Sequence, residues 1–495
     1  MAPPSTDRAP FMRPALTVVA AITALRVAAL ALNHTDLFVD ESQYWLWARE
    51  LEFGYYSKPP LIGWVIRLTT ELGQSNSAFW VRLSAPLLHG VTAIFVGALT
   101  ARFYDRRTAD FAAMVYITLP LAAAGSVLIS TDTIMLPFLV LALYFYAGIL
   151  KKNSTFGAVA VGLTLGLAFL AKYAAVYFLI SAVLAALTAR QARPSPRDAL
   201  VALSVFLFAI SPNIFWNIEN GMITVQHTLD NANWVRDPAA RARLNLAGLA
   251  EFFFAQFIVF GPVTFAALLV VFTKYFRASL PGRVRHLVLF SLPILAIVCL
   301  QALLSRAYAN WAVASFVSGT VLAIGLLSLH KRWLQLSFAV NGVICVLVLI
   351  APIWALQITI PNGNLLMKRY LGRHDLSIAI IAAAKRAQIT TIVAVNRNIL
   401  ADLFYQGRDQ GLSIFSLPRQ GRARNYYEQK YALPDARDEQ VLFVTMKRSL
   451  PPCAQSPEMI EKIEPSFGAY RGKEIFMFGI SSTCLGVRSQ MKLDS

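Results

Sequence analysis

One feature constrains this chain more than any other: apolar blocks about 18–25 residues long recur along it, each enough to cross roughly 30 Å of hydrocarbon. They fall at 14–32, 81–103, 111–129, 134–150, 155–171, 173–189, 199–217, 248–273, 287–304, 312–329 and 334–357. Backbone in lipid must satisfy its own hydrogen bonds, so such blocks are helices. Only 15% of the residues are charged, against about a quarter in a soluble domain. The expectation is a polytopic α-helical membrane protein with about eleven transmembrane helices. Acidic and aromatic residues, not a small-residue cleavage site, follow the first block, so it reads as a span and not as a removed signal.

The net charge of +18 invites a nucleic-acid reading, but its distribution argues for topology. Lys and Arg crowd into short loops: Arg106 and Arg107, Lys151 and Lys152, Arg190, Arg193 and Arg197, Lys274, Arg277, Arg283 and Arg285, Lys331 and Arg332. By the positive-inside rule these loops are cytoplasmic, as is the N-terminus. The expected location is a bacterial inner membrane, with no nucleic-acid partner.

An odd number of spans places everything after 357 outside. There "TTIVAVN", "VLFVTM" and "EIFMFGI" read as strands, and "DLSIAIIAAAKRAQ" has helical periodicity. The expected organisation is a transmembrane domain over 1–357, with outer loops 33–80 and 218–247, and a small α/β extracytoplasmic domain over 358–495. Cys299 and Cys345 fall inside spans, where Cys acts as a small apolar residue. Cys453 and Cys484 fall in the outer domain, and an oxidising compartment there predicts a disulfide between them.

Ionisable groups near lipid are costly and mark candidate functional residues. They gather on the outer side. "FVDESQYWLWARE" carries Asp40 and Glu41 just beyond the first span, then Tyr44, Trp45 and Trp47. The aromatics suit an interfacial helix with rings at headgroup depth. The acidic pair suits a helix N-terminus, where one carboxylate is enough to cap. In "GYYSKPPL", Tyr55, Tyr56 and Lys58 precede two prolines that forbid helix locally. Lys58 reads either as a snorkelling side chain or as a point charge for a phosphate. Asp132 in "ISTDT", Lys172 and Tyr173 in "LAKYAA", His227 in "VQHTLD", and Arg306, Tyr308 and Asn310 in "SRAYANW" occupy other outer turns. No nucleotide-binding glycine loop is present. A phosphate-activated substrate drawn from the lipid fits the set.

"DESQYWLWARELEFGYYSKPPLIGW", "VRLSAPLL", "LISTDT" and "FLAKYAA" resemble the GT-C membrane glycosyltransferases that use polyprenyl-phosphate sugars, which include protein O-mannosyltransferases and aminoarabinose transferases of lipid A. The resemblance implies catalytic outer loops above a lipid cavity, and inverting transfer of one sugar from a polyprenyl-phosphate donor to a lipid or glycolipid acceptor. It implies Asp40 as the base with Glu41 completing the pair, Lys58 on the donor phosphate, Asp132 as a second acidic position, and Lys172 and Arg306 toward phosphate or a charged sugar. Some members place a carboxylate before the lysine and hold a metal with a histidine. Here Ser57 stands at that position, and with His227 it makes a poor metal site. No cofactor is assigned, and a divalent metal is left open.

The acceptor expected on this basis is lipid A or core lipopolysaccharide, with a uronic acid or aminoarabinose as candidate sugar and a protein acceptor as the alternative. A transporter or flippase would place ionisable groups near span midpoints and interrupt helices in matching halves. A non-catalytic scaffold leaves the crowding of carboxylates and lysines on one face unexplained.

Overall fold

The computed structural model describes residues 13–231, 244–278, 280–434, 439–448, 450 and 457–485. The chain forms two compact units: one comprises 1–31, 52–75 and 79–350, the other 32–51, 76–78 and 351–495.

The first unit is helical. Among the described residues, six helices are long and apolar enough to cross a membrane: Arg13–Ala31, Ala78–Thr100, Thr131–Ile149, Pro196–Glu219, Val284–Leu304 and Lys331–Ile353. The block expected as one span at 248–273 is instead two helices, Leu246–Val259 and Pro262–Phe276, bent by 115°. Gly261 at the break has φ +82°, open to glycine without strain, and Pro262 has no N–H to continue the first helix. Counted as one span, the pair makes seven. The block at 111–129 also divides, into Arg106–Thr118 and Pro120–Gly125. Leu119 is extended before Pro120, with ψ 142°, the conformation that a following proline favours. Thr155–Ala171, Tyr173–Thr188 and Ser315–Leu327 are apolar but shorter. Thus six or seven helices meet the length of a full crossing, fewer than the eleven blocks of the sequence.

Packing follows the small residues. Thr155–Ala171 lies between Thr131–Ile149 and Pro196–Glu219. On it Gly162 and Gly166 are four apart, the spacing that lets helix backbones approach closely. A Cβ at Gly162 would sit 2.4 Å from the Ala202 carbonyl oxygen, and one at Gly166 would sit 2.6 Å from the Ala209 Cβ. The far face of Pro196–Glu219 is left to lipid: Leu200 is 65% and Phe208 81% exposed. Arg26 is among the charged residues buried in this unit. Arg26 donates to the Ile117 carbonyl (2.6 Å), the Ser126 hydroxyl (3.1 Å) and Cys345 Sγ (3.3 Å), so Cys345 is an acceptor rather than an inert apolar residue.

The second unit is built on a five-stranded sheet in the order β2-β1-β3-β5-β4. The strands are β1 Thr391–Ala394, β2 Ser413–Ser416, β3 Gln440–Thr445, β4 Glu458–Ile463 and β5 Ile475–Ser481. β1 is parallel to β2 and β3; β5 is antiparallel to β3 and β4. Val393, Val441, Phe443, Phe476 and Phe478 form its core, which is why β1, β3 and β5 read as continuous apolar runs. β4, "EMIEKI", lies on the edge and carries charge, as edge strands do. Helices Arg373–Arg386 and Arg397–Gln406 belong to the same unit. Cys484 is disulfide-bonded; Cys453, the partner the sequence suggests, lies outside the described residues.

Candidate active site

In the second unit, Val39–Arg49 is a helix. Glu41, in its first turn, accepts the Phe38 backbone N–H at 2.9 Å. This satisfies one of the donors that every helix N-terminus leaves unpaired. Asp40 is therefore not needed as a cap. It points instead to Arg397, whose Nη2 donates to Asp40 Oδ1 at 2.6 Å and to Gln43 Oε1 at 3.0 Å; Nε also reaches Gln43 at 3.2 Å. Both side chains stay partly open, at 46% for Asp40 and 39% for Arg397. Burial works against the Arg397 charge, but the Asp40 carboxylate outweighs it and holds the guanidinium above its ordinary pKa.

The aromatics of this helix are not an interfacial belt. Tyr44, Trp45 and Trp47 are buried. Trp45 packs edge-on to Tyr405 at 5.0 Å, Trp47 edge-on to Tyr426 at 5.7 Å, and Trp45 Nε1 donates to Asn76 Oδ1. The sequence marks them as amphipathic anchors; burial within this unit uses the same apolar area differently. The loop before the helix is fixed too. Asp36 accepts the Arg373 and His374 backbone N–H groups. Arg373 pairs at 3.0 Å with buried Asp402, which also accepts the Tyr470 hydroxyl at 2.6 Å. Burial pushes the Asp402 carboxyl up to about 7, against the pull of Arg373 and Tyr470.

In the first unit, the turn before Pro59 and Pro60 folds back on itself: the Tyr55 N–H donates to the Lys58 carbonyl at 3.1 Å, and the next helix begins at Leu61. Tyr55 and Tyr56 are buried. The turn is held by Pro196–Glu219 and the helix after it. Asn213 Nδ2 donates to the Phe53 carbonyl (2.7 Å), Trp216 Nε1 to Glu52 Oε2 (2.8 Å) and Thr224 Oγ1 to the Tyr55 carbonyl (2.7 Å). The Tyr173 hydroxyl joins the set, donating to Asn213 Oδ1 at 3.0 Å and accepting from Asn217 Nδ2 at 3.2 Å. His227 lies edge-on to Tyr56, with centroids 5.0 Å apart.

Asp132 and Lys172 form an ion pair at 2.6 Å, with side chains only 13% and 15% exposed. The other Asp132 oxygen accepts Asn310 Nδ2 at 2.8 Å. The helix cap at this turn is Ser130, whose hydroxyl accepts the Thr133 N–H, so Asp132, like Asp40, is free for other work. Arg306 Nε donates to the Asn231 carbonyl, and its guanidinium lies 5.7 Å from the half-exposed Tyr308 ring. Among the described residues no group of three or more His, Cys, Asp or Glu side chains is placed to hold a metal.

The structure thus gathers Tyr55, Tyr173 and the Lys58 turn in one hydrogen-bonded set, and Asp132, Lys172 and Asn310 in another. It adds Asn213, Asn217 and Arg397, which the sequence reading omits. Asn213 and Asn217, four apart in an apolar helix, were the available signal. Arg397 had none: it is one basic residue among many, more than 350 positions from Asp40.

Residues 57–216 match the family model of dolichyl-phosphate-mannose-protein mannosyltransferases. The chain is 40% identical over 474 residues to the lipid A galacturonosyltransferase RgtD of Rhizobium johnstonii, covering 96% of this chain and 99% of that protein. It is 27% identical over 271 residues to the lipopolysaccharide core galacturonosyltransferase RgtB of the same organism, over 53% of each. Its fold is similar to that of ArnT from Cupriavidus metallidurans bound to undecaprenyl phosphate, with a TM-score of 0.62 and 13% identity over 93% of this chain and 97% of that one. The apo form of ArnT gives 0.58. Near-complete coverage by a relative at that identity, on a shared membrane fold, shows that the chain belongs to the GT-C family of polyprenyl-phosphate-sugar glycosyltransferases and is a glycosyltransferase.

Proposed function

We propose that this enzyme transfers a uronic acid, galacturonate in particular, from a polyprenyl-phosphate donor to lipid A at the periplasmic face of a bacterial inner membrane. The observation that carries the reading is the 40% identity, over 96% of this chain, to a protein named for galacturonate transfer to lipid A. The loop charges support a cytoplasmic N-terminus and a periplasmic second unit, with the three shorter apolar helices and the divided segment Arg106–Thr118 and Pro120–Gly125 completing eleven crossings.

In this mechanism an acceptor hydroxyl oxygen attacks the anomeric carbon from the face opposite the lipid phosphate. The new C–O bond forms as the C–O bond to phosphate breaks, which inverts the centre. The hydroxyl proton passes to Asp40, and the lipid phosphate leaves with the bonding electron pair. Arg397 engages Oδ1 of Asp40 and fixes its rotamer, which presents Oδ2 as the proton acceptor. Lys58 offsets the charge growing on the departing phosphate. Lys172, anchored by Asp132, and Arg306 serve the donor phosphate or the sugar carboxylate. Glu41 holds the helix that carries Asp40 and takes no proton.

Mass spectrometry of lipid A from a host with and without the gene tests this. A gain of one hexuronic acid per lipid A is expected, and its absence alongside confirmed expression refutes the assignment. A protein acceptor is the second reading, favoured by the family model over 57–216. Hexose-modified peptides with unmodified lipid A would select it.

A further inference from the structure

The far end of the helical unit holds a cavity that no catalytic assignment uses. It measures about 280 Å³, and its mouth is formed by Arg102, Lys151 and His286. Inside it is walled by Leu143, Tyr146 and Phe290, and no Asp or Glu is among its described lining residues. Asp132 and Lys151 bracket the helix Thr131–Ile149, so at 1.5 Å per residue the mouth is about 28 Å from the Asp132 turn. That is the thickness of a hydrocarbon core. The cavity is therefore at the opposite membrane face from Asp132, Lys172 and Asn310.

The cations are held in place rather than loose. The Arg102 guanidinium stacks 3.6 Å from the Tyr144 ring centroid, and its Nε is buried with no hydrogen-bond partner. Lys151 Nζ donates to the Arg102 carbonyl at 3.0 Å, which fixes the ammonium beside it. Inward from Leu143 and Phe290 runs a narrow crevice lined wholly by apolar residues, Leu139 and Ile294 among them. A fixed cationic rim over an apolar interior, set at helix ends, matches an anionic headgroup with the start of an acyl chain. A soluble anion would gain nothing from the apolar walls.

We infer that this cavity is a binding site for an anionic phospholipid of the leaflet opposite the reaction, with the phosphodiester on Arg102 and Lys151 and the start of one acyl chain against Leu143, Leu150 and Leu287. The site is independent of the donor and acceptor assignments.

The test uses the full-length protein in phosphatidylcholine nanodiscs, with phosphatidylglycerol as the added probe and native mass spectrometry of the ejected protein as the readout. Wild type should retain phosphatidylglycerol in preference to phosphatidylcholine. Lys151→Glu reverses one rim charge, and Leu143→Trp fills the interior; each should weaken retention about tenfold or more. Glycosyl transfer by Lys151→Glu, which lies outside the catalytic loops, shows that this variant is folded. Equal retention of the two lipids by wild type, or unchanged retention in a folded Lys151→Glu, overturns the site. Displacement of the lipid by inorganic phosphate alone would assign the rim to a soluble anion and also overturns it.

Discussion

Separating Asp132 from Lys172 gives a prediction whose size follows from the geometry. At 2.6 Å, two unit charges attract by about 6 kcal/mol at an effective dielectric near 20. Both side chains are about 85% withdrawn from solvent, and desolvation costs several kcal/mol per ion, so most of that attraction is offset. The surplus, with one charge-assisted hydrogen bond inside it, is about 2 kcal/mol. Removing one partner costs more than the surplus, because the other is stranded: Asp132→Ala leaves the ammonium of Lys172 and the amide of Asn310 without their acceptor. Each single variant should lose about 3–5 kcal/mol, and Asp132→Ala with Lys172→Ala should lose about 2 kcal/mol less than the sum. The exposed pair Arg67 and Glu71, at 34% and 59%, is the control; its coupling should be about 0.3–0.5 kcal/mol. The assay is denaturant unfolding in detergent for wild type, both singles and the double. If the Asp132 and Lys172 losses add within about 0.5 kcal/mol, the reasoning is refuted, and the pair is a contact without energetic coupling.

Four further outcomes are expected. Asp40→Asn should lower sugar transfer by about 10²–10⁴-fold at unchanged expression, and wild-type turnover would remove Asp40 as the base. Arg397→Ala should cost only about 0.2–1 kcal/mol of stability, since the pair is half exposed, yet lower turnover about 10–10²-fold by freeing the Asp40 rotamer; Arg397→Lys should recover part of this, and equal activity in all three forms would exclude a positioning role. Asn213→Leu leaves the Phe53 carbonyl without its donor and the Tyr173 hydroxyl without its acceptor, a loss of about 1–3 kcal/mol, and should raise the KM for the lipid donor; an unchanged KM would separate the 52–58 turn from donor binding. Asp402 is held near 7, above its ordinary 3.8, so the folded protein keeps a proton that the unfolded chain releases. Its stabilisation is complete below about pH 4 and is lost as pH rises toward 7, by about 4 kcal/mol at most. Hydrogen exchange across Arg397–Gln406 should speed up over that window in wild type and show a flatter slope in Asp402→Asn; matching slopes would refute the assignment.

What the sequence determined by itself is what depends on local composition. Apolar length marks membrane helices, because hydrocarbon thickness sets it and lipid penalises any unpaired backbone group. Runs of β-branched and aromatic residues mark β1, β3 and β5, because a buried strand needs them on both faces. The order Asp-Glu, Lys-Pro-Pro, Asp-Thr and Lys-Tyr is likewise written in the chain, and with it the family.

Tertiary structure decided how those residues divide their work, because partnership depends on approach in space. Asp40 and Glu41 are adjacent and chemically alike, yet one accepts its own helix N-terminus and the other an arginine from the far end of the chain. Trp45 and Trp47 satisfy the same sequence rule buried or in a membrane interface, and only the presence of Tyr405 and Tyr426 selects burial. The bend at Gly261 was equally beyond hydropathy, which sums apolar area over a window and does not record the direction in which the backbone leaves it.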